Sequence, residues 1–231
     1  MLSLCLDTSA ATAVALVSDR EVLSRAANDS TRHHAESIAV LVREALQAAG
    51  LPAEAASAGL DRVCVGTGPA PFTGLRAGLV SARVLARAAA VPVHGASGLD
   101  AIARAALDLL APGTPVVAIS DARRKELYWG HYLAEGPDDV RLLGRLEVGT
   151  AHTLVNSMRD TGALLVSAGP VPAHSAEALS VAEAGPVVAL DPAVLSRIAS
   201  ARLARGDEAG LATEPLYLRR PEIHGRPTER M

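Results

Sequence analysis

Residues 2–17 read LSLCLDTSAATAVALV, and this stretch decides the fold class. Residues 2–6 form an apolar run that ends at Asp7, Thr8 and Ser9. Residues 12–17 form a second run, closed by the turn-formers Ser18, Asp19 and Arg20. Residues 21–26 alternate as a third. Three short strands ahead of any helix predict a meander that opens a mixed sheet, which points to an α/β chain.

Further along, side chains at 28–31 offer helix caps. Ile38, Leu41, Val42, Ala45, Leu46 and Ala49 then recur at helical spacing until Gly50 stops the run. Ala39 and Val40 widen that apolar stripe beyond what one core contact needs. Residues 62–65 (RVCV) read as a buried strand, followed by a stiff Gly/Pro-rich turn over 66–74 (GTGPAPFTG) and a helix over about 74–89. Gly74, Gly78, Ala82 and Ala86 recur every fourth residue, giving that helix a nearly flat face that admits a close neighbour, while Arg76, Arg83 and Arg87 share another face.

A third helix is predicted over about 97–110, and Pro112-Gly113-Thr114-Pro115 marks a boundary. Beyond it, strands over 116–119, 126–133 and 141–146 with a hairpin around 136–139, helices over 151–161 and 192–205, and strands over 163–167 and 187–190 describe a second α/β unit. The expected organisation is a larger part over 1–110, a smaller one over 111–218 and a disordered tail over 219–231.

With 231 residues, 49% of them hydrophobic and 20% charged, the chain can bury a core of its own. Its 22 Lys and Arg against 25 Asp and Glu exclude the global basic excess of a non-specific nucleic-acid binder. Aromatic residues at 2% argue against an extended base-stacking platform. Cys5 and Cys64 lie in separate apolar runs, read as reduced, buried thiols. Neither a signal-like start nor a membrane-spanning run is seen, so the expected location is the cytoplasm.

Candidate chemistry is thin. Asp7 and Thr8 at a strand end stand where a nucleotide's metal and phosphates could be held, yet DTSAAT lacks the glycine that lets successive N–H groups approach a phosphate, so a turn or cap role is favoured. Residues 66–74 lead into a helix N-terminus, but Pro69 and Pro71 remove donors and no lysine follows. The seven histidines include no HxxxH, HExxH or HxH pattern, adjacent His33 and His34 point apart, and GxSxG is absent. Neither a metal site nor a catalytic residue is assigned. Residues 121–132 (DARRKELYWGHY) set Arg123, Arg124 and Lys125 beside the sole Trp and two Tyr, the best candidate for an RNA contact. On a strand, Leu127, Trp129, His131 and Leu133 would face one way and Tyr128 and Tyr132 the other, so a strand covered on both sides with a solvated basic turn is favoured.

LSLCLDTSAATAVAL, HHAESIAVLVREAL, VCVGTGPAPFTGLRAGLVSARVLA and DARRKELYWGHY together resemble the TsaB (YeaZ) family of bacterial tRNA threonylcarbamoyladenosine synthesis, with a weaker echo in PLYLR at 215–219. The resemblance implies an ASKHA fold (actin-like ATPase, sugar kinase, Hsp70) in two duplicated halves, the second reduced. It implies a non-catalytic scaffold that binds a TsaD-type catalytic paralogue and a TsaE-type ATPase. ATP and metal would sit on those partners, with none in this chain. Gly98 and Ile102 fall where the catalytic paralogue has its metal-binding histidines.

The family's partner surface is built by the first two helices, which makes Glu36, Val40, Leu75, Arg76, Leu79 and Arg83 the expected interface residues. The small-residue face of the second helix could also pair two copies when the partner is absent. Pro71 and Gly169-Pro170 depart from the family's pattern and count against nucleotide binding by this chain alone. Two rival readings remain open on the sequence: an independent phosphotransferase using Asp7 and Thr8, and a glycoprotease-like metallopeptidase.

Overall fold

The computed structural model describes residues 1–28 and 34–219. The helix caps expected at 29–31, His33 and the tail from 220 onward lie outside the described residues, as do the side chains of residues 34–36.

The opening meander is present as β1 (Leu2–Asp7), β2 (Thr12–Ser18) and β3 (Glu21–Asn28), all antiparallel, with Leu4 opposite Leu16 and a register shift between β2 and β3 at Leu16/Val17. Next come α1 (His34–Ala48), β4 (Arg62–Gly66), α2 (Phe72–Ala89), β5 (Val93–Ala96) and α3 (Gly98–Leu107). β4 and β5 add parallel to β1, so the sheet runs β3-β2-β1-β4-β5. The second half repeats this plan: β6 (Val116–Asp121), β7 (Leu127–Glu135), β8 (Asp139–Gly149), α4 (Ala151–Met158), β9 (Leu164–Ala168), α5 (Ala173–Leu179), β10 (Ala184–Val188) and α6 (Ala193–Ala204). Its sheet order, β8-β7-β6-β9-β10, is the first half's order again. Both sheets have five strands, so the reduction expected of the second half falls on its helices: α4 and α5 span 8 and 7 residues, against 15 and 18 in α1 and α2.

Each half lends its last helix to the other. α3 packs Leu99, Ile102, Ala103 and Ala106 against Val116, Ala118, Tyr128 and Tyr132 of the second sheet. α6 buries Val194, Leu195, Ile198 and Ala199 with Cys5, Ala15, Val17 and Cys64 of the first. The sheets do divide near residue 110, but residues 193–217, assigned from sequence to the second part, return to the first sheet. The cause is apolar area: the β1-β2-β4 face opposite α1 and α2 is covered mainly by α6, with Ala101 of α3 at its edge.

Alternation along β7 matches its residue pattern, because Leu127 and Trp129 join one core while Tyr128 and Tyr132 join the other. Cys5 and Cys64, distant in sequence, are direct neighbours across the β1–β4 pair, free and buried. β10 begins three residues earlier than the run at 187–190 suggests, and α5 was not foreseen, since seven residues after two prolines carry too little periodicity to register.

Candidate functional site

At the turn after β1, Asp7 and Thr8 are 1% and 2% exposed. The Asp7 carboxylate accepts from the Ser9 amide at 2.7 Å and the Ser9 hydroxyl at 2.5 Å, and it lies so close to Gly66 that a Cβ there would fall 2.0 Å from Oδ2. Thr8 Oγ1 donates to the Gly74 carbonyl at 2.9 Å and touches the bare Cα of Gly78. Thr8 therefore seats α2 on the sheet, while Asp7 closes the turn onto Ser9 and packs against Gly66 of β4. The glycines of the small-faced helix explain this directly: Gly74 and Gly78 admit Thr8 of the same chain, not a neighbouring helix.

Between the lobes lies a pocket of about 190 Å³, lined by Ser9 and Ala10 from the first turn and by Ile102, Ile119, Pro170 and Leu190 among others. Pro71 and Arg123 border both this pocket and a larger neighbouring cleft. Gly98 starts α3 with its amide donating to the Gly68 carbonyl at 2.9 Å, and Ile102 is 3% exposed in the second core, so neither position offers a metal donor. The described residues hold no group of three or more His, Cys, Asp or Glu placed to share a metal ion.

On the opposite face, α1 and α2 lie side by side and leave an apolar strip open. Val40 is 50% exposed, Val80 59% and Val84 61%. α1 exposes Val40 because Ile38, Leu41, Val42, Ala45 and Leu46 already fill its inner face; α2 does the same with Leu75, Leu79, Ala82 and Ala86. Leu75 and Leu79, expected at an interface, are thus core residues at 1% and 3% exposure. The sequence stripe ran wide enough that inner and outer positions could not be told apart, and the missed residues Val80 and Val84 are the outer ones. Glu36 lies on α1, but its side chain is outside the described residues.

Arg76 and Arg83 are exposed yet engaged. Arg83 Nη2 donates to the Thr213 carbonyl at 2.8 Å, and Arg76 Nε donates to the Tyr217 hydroxyl at 2.8 Å while its guanidinium lies 3.8 Å from the Phe72 ring centroid. They hold residues 212–219 along α2 as a strap, pinned further where the Leu216 amide donates to the Thr67 carbonyl at 2.9 Å and by an Arg219–Glu126 ion pair.

A repeated 3-2-1-4-5 sheet, exchanged terminal helices and a turn after β1 at the lobe junction define a two-lobed protein of the ASKHA class. The family model described as "TsaD: tRNA N6-adenosine threonylcarbamoyltransferase" matches residues 21–159, and the chain belongs to this family as a TsaB/YeaZ-like protein. It is 35% identical over 205 residues to the uncharacterized protein Rv3421c of Mycobacterium tuberculosis, spanning 88% of this chain and 83% of that one. A TsaB protein of Haemophilus influenzae, named for tRNA threonylcarbamoyladenosine biosynthesis, is 36% identical over 104 residues, 45% of this chain and 42% of that protein. A crystal structure from Pseudomonas aeruginosa, described as similar to the peptidase YeaZ, superposes with a TM-score of 0.73 at 30% identity, covering 94% and 99% of the two chains.

Proposed function

We propose that this chain is a non-catalytic subunit of tRNA threonylcarbamoyladenosine synthesis that docks a TsaD-type catalytic paralogue through the α1–α2 face. The observation that carries the reading is the strip of Val40, Val80 and Val84, each at least half exposed on adjoining helices. Single exposed apolar side chains are ordinary; three on two adjoining helices are what this reading takes as the docking surface. The TsaB name of relatives in tRNA threonylcarbamoyladenosine biosynthesis supports the pathway. The burial of Asp7 and Thr8 supports a scaffold over a phosphotransferase, and the apolar setting of Ile102 gives a metallopeptidase no ligand.

In this reading ATP and metal bind the partner subunits, a TsaE-type ATPase joins the pair, and the same strip pairs two copies of the chain when the partner is absent. Size-exclusion chromatography of the purified chain with its TsaD-type paralogue tests it. Co-elution with restored tRNA threonylcarbamoylation is expected; separate elution under conditions where the paralogue is folded would end the reading.

A further inference from the structure

Beside the strap lies a larger cleft, about 520 Å³, bounded by residues 70–72, the β6–β7 turn and the strap. Three of the chain's five aromatic rings, Phe72, Tyr128 and Tyr217, line it. Tyr128 is 5% exposed and belongs to the core behind the cleft, so Phe72 and Tyr217 are the rings that present surface to it. Phe72 and Tyr217 pair with centroids 5.2 Å apart and stay 40% and 39% exposed. Arg123 and Arg124 form the facing wall.

The turn that carries them is unusual. Arg123, Arg124 and Lys125 have φ values of 62°, 52° and 62°, three successive non-glycine residues in the left-handed region. Each such residue costs about 1–2 kcal/mol in backbone energy, so the turn holds three exposed cations on a strained backbone. Around the cleft, Arg123, Arg124, Lys125 and Arg219 outnumber Asp121 and Glu126 in a chain whose net charge is -3.

We propose that this cleft takes one unstacked nucleotide of an RNA strand, its base against the Phe72–Tyr217 pair and its flanking phosphates on Arg123 and Arg124. Base-on-aromatic stacking flanked by cations is how proteins hold single-stranded loops. Three consecutive exposed cations, two of them lining the cleft, offer more than one phosphate contact along a strand. The inference rests on the tRNA-modification reading for its choice of RNA, and it assigns the substrate-binding surface that reading leaves open.

The test uses the full chain, alone and mixed with its TsaD-type paralogue, titrated into a fluorescent unmodified tRNA transcript at several salt concentrations. Arg123→Glu/Arg124→Glu is expected to weaken binding at least about 10-fold and to flatten the salt slope by about 0.7 for each phosphate no longer neutralised. Lys125→Glu, a change at an exposed position, guards against a folding artefact and is expected to weaken binding about 3-fold with an unaltered melting temperature. Unchanged tRNA affinity and slope in both variants would overturn the proposal. So would tight binding of free AMP or ATP that the double variant abolishes while tRNA binding is kept, since the cleft would then be a small-nucleotide site. Both variants are expected to co-elute with the paralogue, so a failure of RNA binding stays distinct from a failure of the docking reading.

Discussion

Arg202, on α6, grips Asp139 at the start of β8 through Nε and Nη2, each at 3.1 Å, and the Asp139 side chain is fully buried. Arg205 adds a bond to the same carboxylate at 2.5 Å, and Arg202 also reaches Asp100 on α3 at 2.8 Å. The pair sits where the two exchanged helices meet the hairpin, so it ties the lobes at their junction.

Asp139→Ala leaves the Arg202 guanidinium buried without its main partner. Breaking one side of a buried pair costs about 3–5 kcal/mol. Urea unfolding of the variant is expected to show a loss of that order; a loss below about 1 kcal/mol would mean that water replaces the carboxylate freely.

Gly78→Ala reverses an ordinary rule. In an exposed helix interior the change stabilises by about 1 kcal/mol, but here the new Cβ would fall 2.3 Å from Thr8 Oγ1 and 3.1 Å from Thr8 Cγ2. The variant is expected to lose about 1–3 kcal/mol by overpacking. Adding Thr8→Ala should recover part of that loss, and a purely additive double variant would contradict the close approach.

The strap has a weaker hold. Arg83 reaches the Thr213 carbonyl and hydroxyl from an exposed position. Arg83→Ala is expected to cost about 1 kcal/mol or less in global stability, yet to speed proteolytic cleavage within 212–219, because local opening draws on only a few bonds. Equal cleavage rates in variant and wild type would count against the anchoring role.

Acid should destabilise the chain through its half-buried imidazoles. Burial holds His94 and His131 below their ordinary value of 6.5, and Arg62 adds to the effect at His94. A depressed folded-state value means the unfolded chain takes up these protons first, so stability present above 6.5 is lost as the pH falls toward the folded values. Melting temperature is expected to drop between about pH 7.5 and pH 5, and to drop less in His131→Gln, whose amide can still donate to Ser157, the hydroxyl that Nε2 of His131 meets at 3.1 Å. A flat profile in the wild type would contradict this.

Much of the fold was legible because short-range patterns carried it: the LSLCLD strand and its successor, the α1 stripe, and the alternation of Leu127 and Trp129 with Tyr128 and Tyr132. What could not be read was long-range. The exchange of α3 and α6 between halves depends on which sheet face is left bare, and the Cys5–Cys64 adjacency on strand order. The candidate interface was half legible. Val40 was singled out, but Leu75 and Leu79 were chosen over Val80 and Val84, because a wide apolar stripe does not say which edge faces the sheet. The strap was invisible, since Arg76 and Arg83 meet their partners more than a hundred residues away.

The central claim is that the Val40, Val80 and Val84 strip docks the catalytic paralogue. Light scattering of equimolar mixtures measures it, with wild type compared against Val80→Asp/Val84→Asp, two changes at solvent-exposed positions that leave the core untouched. The expected result is a heterodimer mass for wild type and separate masses for the variant, with affinity reduced by about 100-fold or more because two charges would have to be buried. A variant that folds and still gives the full heterodimer mass at the wild-type affinity would contradict the claim.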